Sequence, residues 1–96
     1  MHIQCEQVLD NGVTVGHHVA RQVIFDLDLL QVTIVLDSYT NEAAAAQFSP
    51  VKTQFVNIPY DPTVVNGAIV AAGGDIRAAV YGALIGAKFH DGQIIF

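Results

Sequence analysis

Residues 21–39, RQVIFDLDLLQVTIVLDSY, decide how this chain folds. Val23, Phe25 and Leu27 alternate with Gln22, Ile24 and Asp26; after a break at Asp28 to Leu30, Val32, Ile34 and Leu36 alternate with Thr33, Val35 and Asp37. A period of two places successive side chains on opposite faces of a strand, so the stretch reads as a β-hairpin. Val23, Phe25, Val32, Ile34 and Leu36 form its core face. Ile24 and Val35 leave the other face too apolar for plain solvent, which marks it as a surface for a neighbouring subunit.

Upstream, residues 3–9 have strand character interrupted by Gln, Cys and Glu. Asn11-Gly12 then suits the two positive-φ positions of a type I′ turn and predicts a hairpin into a strand over 13–19. On that strand Val13, Val15, His17 and Val19 share one face, and Thr14, Gly16, His18 and Ala20 the other. Together with the two arms of the central hairpin this gives four strands of an antiparallel meander.

Downstream, Thr40 or Asn41 caps a short helix through Glu42 to Gln47, which Pro50 stops. Residues 51–58 read as a fifth strand with Val51, Thr53, Phe55 and Asn57 on one face and Lys52, Gln54, Val56 and Ile58 on the other. Pro59 and Pro62, which lack an N–H, end it. Asp61 as N-cap and Pro62 at the first helical position start a helix carrying Val64, Val65, Ala68, Ile69 and Ala72. Gly73-Gly74 break the chain, and Asp75 caps a second helix over 76–87 whose stripe is Ile76, Val80, Leu84 and Ala87. Asp91-Gly92 makes a further hairpin-type turn or an ordered tail. The expected fold class is α+β: an antiparallel β-meander, small sheet or sandwich of about five strands with a C-terminal helical segment. The single domain spans 1–96, with a β-rich body over 1–60 and helices and tail over 61–96.

Composition narrows the classes of function. Of 96 residues, 52% are hydrophobic and 14% charged, against about 25% charged in an ordinary globular domain. So many apolar side chains exceed what one small domain buries, and a protein–protein interface is the natural sink. No apolar run approaches the ~18 residues of a membrane span, so membrane insertion is not expected. Net charge is −5, and the basic residues Arg21, Lys52, Arg77 and Lys88 are scattered, which disfavours nucleic-acid binding. The N-terminal MHIQCEQ has no charged start followed by an apolar core, so no secretory signal is expected. The lone Cys5 has no internal disulfide partner and suits a reducing cytoplasm.

Candidate chemistry is sparse. His17 and His18 are neighbours on a strand and point to opposite faces, so they cannot chelate one ion together. His2, Cys5 and His90 lack metal-site spacing. Asp26 and Asp28 fit a solvated turn rim better than a calcium loop. Ser38 and Ser49 lack a nucleophile-elbow context, although either could meet a His in space. Gly73-Gly74-Asp75 is a helix break with a cap rather than an anion site. Gly82 to Gly86, a GxxxG, predicts close packing on the sheet or on a neighbouring helix. Neither a cofactor nor catalytic residues are expected.

Leu9 to Val15, His17 and His18, Val23 to Asp26, Ser38-Tyr39, Ala43 to Ala46, and Ala78 to Leu84 with Phe89 together form a pattern. In it the chain resembles small phage and prophage virion proteins of tail and tail-fibre regions, departing at the Gly-rich, apolar Thr63 to Gly74. The resemblance implies a non-enzymatic structural part of tail, baseplate or fibre-attachment type, assembled in the host cytoplasm and located in the virion. Its partners would be copies of itself and other phage structural proteins. Alternatives are a capsid-decorating or head–tail joining protein, and a phage-encoded binding protein that sequesters a ligand or inhibits a host factor. The expected interface residues are Ile24, Val35, Val64, Ile69, Tyr81 and Leu84.

Overall fold

The computed structural model describes residues 1–47 and 50–95. Strand β1 (His2–Val8) is followed by β2 (Thr14–Asp26) and β3 (Gln31–Tyr39), then helix α1 (Glu42–Ala46) and strand β4 (Lys52–Pro59). Helices α2 (Pro62–Ala71) and α3 (Ile76–Ala87) precede a short β5 (Gln93–Ile95). All strand pairs are antiparallel in one sheet of order β4-β3-β2-β1-β5. The α+β expectation therefore holds: a meander of four strands, closed at the β1 edge by the C-terminal strand.

The predicted strands over 13–19 and over the first hairpin arm are one strand, β2, bent at Arg21. Its ladder with β3 shifts register between Ala20 and Gln22, so Arg21 is an extra residue in a β-bulge. The bulge changes which parity faces inward: His18 and Ala20 before it, Val23 and Phe25 after it, lie on the face that carries Leu36, Ile34 and Val32. β1 has a second irregularity between Gln4 and Gln7.

The first hairpin forms, with a different turn from the one expected. Only Gly12 has positive φ, at 83°, and its N–H donates to the Leu9 carbonyl at 2.8 Å while Leu9 N–H donates to Val13 at 2.9 Å. That is a tight turn followed by a left-handed glycine, the geometry of a three-residue hairpin loop. Asn11 instead accepts Val13 N–H on its side chain at 3.0 Å.

Helix starts follow the capping chemistry. Asn41 accepts Ala44 N–H, Asp61 accepts Thr63 and Val64 N–H, and Asp75 accepts Arg77 N–H, each satisfying donors that the first turn leaves orphaned. Gly73 and Gly74, at φ 70° and 85°, turn the chain between α2 and α3, which bend by 115° relative to one another. Neither helix alone is long and apolar enough to cross a membrane; only the bent pair together passes such a test, on length and composition. Asp91-Gly92 makes no hairpin, because Lys88 to His90, which follow the end of α3, form no strand; Gly92 N–H donates to the Phe89 carbonyl at 2.9 Å and β5 runs back along β1.

The core lies between the sheet and α3. Ile3, Val32, Ile34, Leu36 and Val56 from the sheet pack with Tyr81, Leu84 and Phe89. Of the predicted stripe on α3, Leu84 is buried and Val80 packs half-buried against the core, whereas Ile76 and Ala87 are exposed and Tyr81 joins Leu84 at the centre of the seam. Gly82 and Gly86 face outward, with open space where a Cβ would stand, so the GxxxG does not pack on the sheet. Helix α2 buries none of its ten residues.

Candidate functional site

Two sheet irregularities each free a backbone group, and each freed group is taken up by a ring side chain. At the β2 bulge Ala20 N–H donates to the Tyr81 hydroxyl at 2.8 Å, and that hydroxyl donates to the Met1 carbonyl at 3.1 Å. Tyr81 thereby fastens α3 to the sheet, and burial pushes its phenol pKa up. At the β1 irregularity the Cys5 carbonyl lies 2.8 Å from His18 Nε2. A carbonyl can only accept, so Nε2 carries the proton and Nδ1 is an acceptor.

That assignment orders a chain of hydrogen bonds. His18 Nδ1 lies 2.8 Å from Ser38 Oγ and accepts its hydroxyl proton. Ser38 Oγ accepts Gln54 Nε2–H at 2.8 Å, and Gln54 Oε1 accepts from Lys88 Nζ at 2.6 Å. Gln54 also donates to Gln7 Oε1 at 3.0 Å. The chain runs one way, from an ammonium that only donates to a carbonyl that only accepts, and every buried side-chain polar atom among the described residues is partnered. Phe89 lies across the His18 ring, centroids 4.4 Å apart. Burial is the main reason that His18 sits below the ordinary histidine pKa, with Lys88 acting in the same direction and the Cys5 carbonyl opposing them. Burial also lowers Lys88, and Lys52 adds to that.

A serine donating to a histidine is the arrangement of an activated nucleophile. Here both residues are 0% exposed and both sides of the Ser38 hydroxyl are occupied, so no substrate reaches it. The pair works as a core fastener between β2, β3 and β4. Ser49, the other candidate serine, lies outside the described residues.

No family model matches this chain, and neither does any curated protein or solved structure.

The remaining candidates are placed as follows. His17 is on the opposite face from His18, as its parity requires, and stacks on His2 with centroids 3.8 Å apart and Tyr39 edge-on at 6.0 Å. Burial lowers the pKa of both rings. For His17 the neighbouring His2 lowers it further, while Glu42 acts to raise it. Among the described residues no group of three or more His, Cys, Asp or Glu stands together as a metal site. Cys5 lines a shallow cleft of about 250 Å³ with Lys88 and Asp91, and burial raises its thiol pKa, which keeps it protonated near neutrality. Asp26 accepts the N–H groups of Asp28 and Leu29 at 3.1 and 2.9 Å, the turn-rim role expected of it.

The surface is where the chain departs from an ordinary small domain. Twelve large hydrophobic side chains are exposed among the described residues, as many as the twelve in the buried core. They concentrate at one end of the sheet: Leu27 and Leu29 are each 71% exposed and Leu30 57%, all on the β2–β3 turn. Tyr60 N–H donates to the Leu30 carbonyl at 2.8 Å and the Tyr60 ring meets Phe25 edge-on at 5.7 Å. Phe25 and Val64 line one apolar slot between the helices and the sheet, which joins the turn to α2.

Of the predicted interface residues, Ile24 and Val64 are exposed and Ile69 is half-buried. Val35, Tyr81 and Leu84 are corrected: they are 2%, 3% and 0% exposed and belong to the chain's own packing. Val35 lies between its cross-strand partners Gln22 and Phe55, and Tyr81 and Leu84 form the seam of α3 against the sheet. The exposed leucines of the turn are what sequence reading missed. Their signal was present as three leucines within four residues of a turn, where polar residues are the rule.

Proposed function

We propose that this protein is a non-enzymatic structural component of a bacteriophage particle, of tail, baseplate or fibre-attachment type, that works through protein–protein contacts. The β2–β3 turn is the observation that carries this reading. Leu30 has φ 51°, a left-handed backbone that suits Gly or Asn and costs a branched side chain about 1–2 kcal/mol. Its side chain stands in solvent and adds nothing to the core. A leucine kept at that cost, beside exposed Leu27 and Leu29, is accounted for by a partner that covers it. Helix α2, without a charged residue and without a buried one, continues the same apolar surface. The resemblance of Leu9 to Val15, Ser38-Tyr39 and Ala78 to Leu84 to virion proteins directs the reading to a phage particle.

The test is location. Particles fractionated into tails and heads, then probed for this chain, are expected to carry it in the tail fraction, and Leu27→Ser with Leu29→Ser is expected to remove it from particles while the free chain stays folded. Absence of the wild-type chain from both fractions refutes the reading. Its presence in heads alone replaces the tail assignment with a capsid role.

A further inference from the structure

We propose that β4 is a self-pairing edge: two copies of the chain join β4 to β4 antiparallel about a two-fold axis through Phe55, making one continuous sheet of two fused five-stranded ones. This rests on the assembly reading and names a second copy as the first partner.

The sheet has two edges, and they differ. β5 is three residues long and closes against β1 near the chain end. β4 is eight residues long and pairs with β3 without a break from Lys52 to Pro59. Edge strands are ordinarily guarded by bulges, charges or prolines, because their free backbone groups template another strand. On β4 the guards stand only at the ends, Lys52 and Pro59; residues 53–58 have none. What satisfies such an edge is a strand.

The second strand is identified by charge and by symmetry. The chain carries −5 overall, yet none of its nine acidic residues lies on β4, so this is a stretch where two copies approach without acid facing acid. An antiparallel pair of identical strands is two-fold symmetric and therefore closes at a dimer. Centred on Phe55, the pairing sets Phe55 opposite Phe55 of the second copy, Thr53 opposite Asn57, and Lys52 opposite Ile58. No like charges meet, Thr53 meets the polar Asn57 on the outer face, and the two aromatic rings, each 65% exposed in the single chain, cover one another. Ile24, exposed on the same sheet face two strands away, extends the covered apolar surface.

Area agrees with this. The chain exposes 5900 Å², whereas a compact monomer of its mass exposes roughly 5,400 Å². The excess of about 500 Å² is a large part of the ~800 Å² that each partner contributes to a standard interface.

The experiment is site-specific oxidation of the full chain. In a Cys5→Ser background, Phe55→Cys puts two thiols across the axis and is expected to give a disulfide-linked dimer in mild oxidant, while Val70→Cys on α2 stays monomeric under the same conditions. Light scattering of the otherwise wild-type chain is expected to show a concentration-dependent dimer, weakened on the order of a hundredfold in Kd by Phe55→Lys. Because Phe55 is exposed, that substitution leaves the single chain folded, which circular dichroism verifies. No cross-link at position 55, or a dimer that Phe55→Lys leaves intact, overturns the pairing. Either result leaves the particle role standing, since that depends on finding the chain in tails.

Discussion

Ser38→Ala is the sharpest probe of the core. The substitution removes the hydroxyl that donates to His18 Nδ1 at 2.8 Å and accepts from Gln54 Nε2 at 2.8 Å. Gln54 keeps Gln7 Oε1 as an acceptor at 3.0 Å, so its loss is partial. His18 has no replacement: Nε2 is held by the Cys5 carbonyl, and Nδ1 becomes a buried acceptor without a donor. One orphaned buried group costs about 1–3 kcal/mol, so the expected loss is about 2 kcal/mol. For a domain of this size that is a fall of roughly 8–16 °C in Tm. Urea denaturation monitored by circular dichroism measures it. A change under about 0.5 kcal/mol would refute the directed chain of bonds, because it would mean that neither neighbour depended on Oγ. The pH limb gives a second readout. His18 lies below its ordinary value, so the fold favours its neutral form: the stability this contributes is complete above about pH 6.5 and is lost as pH falls below that value toward the folded-state pKa. Removing the Ser38 donor takes away a bond that only neutral His18 accepts, so the acid limb of the variant is expected to be shallower than that of the wild type.

His17→Phe keeps a ring against His2 and removes one of two groups that resist protonation at this contact, so the variant is expected to lose less stability than the wild type between neutrality and pH 5, read from urea midpoints across pH. Leu84→Ala, at a fully buried site in the α3 seam, is expected to cost about 2–5 kcal/mol, whereas Val70→Ala on the exposed side of α2 stays within about 0.5 kcal/mol of wild type. Gly92→Ala sets a Cβ 3.0 Å from Ile3 Cγ2 and 3.0 Å from the Phe89 carbonyl oxygen, so thermal melts are expected to report a loss of about 1–3 kcal/mol as β5 is pushed off β1. Leu30→Gly relieves the left-handed backbone and is expected to leave the isolated chain as stable or up to about 1 kcal/mol more so, while weakening incorporation into particles; a destabilised chain with undiminished incorporation would reverse the role given to that turn.

What was legible in the residues was local. Asn41, Asp61 and Asp75 announce helix starts because a short side-chain oxygen at that position meets orphaned N–H groups, and all three caps form. The alternation in 31–39 and 51–58 sets which side chains share a face, and β3 and β4 keep it without interruption. Gly73-Gly74 break the helices as expected, at a place where positive φ is needed. The rotation of α3 was less legible. Spacing placed Leu84 on the inner stripe but not Tyr81, because apolar residues surround the helix too evenly, and the Tyr81 hydroxyl that bonds Ala20 N–H holds that side against the sheet.

The sequence by itself determined the segments of β1, β3, β4 and the helices, the capped starts, the faces of β3 and β4, and an apolar excess larger than one small core absorbs. Only the tertiary structure decided what the strand through 14–26 turns toward that core. Read without a break, Val19 is in phase with Val23 and Phe25, and a ladder continued from Val23 opposite Ile34 would put Tyr39 opposite His18. One extra residue at Arg21 shifts the phase, so that His18 stands opposite Ser38 and Ala20 opposite Leu36. A bulge has no period for sequence reading to detect. It forms because Tyr81, sixty-one residues away, accepts the Ala20 N–H that the bulge leaves over, and the companion irregularity in β1 is closed in the same way by His18.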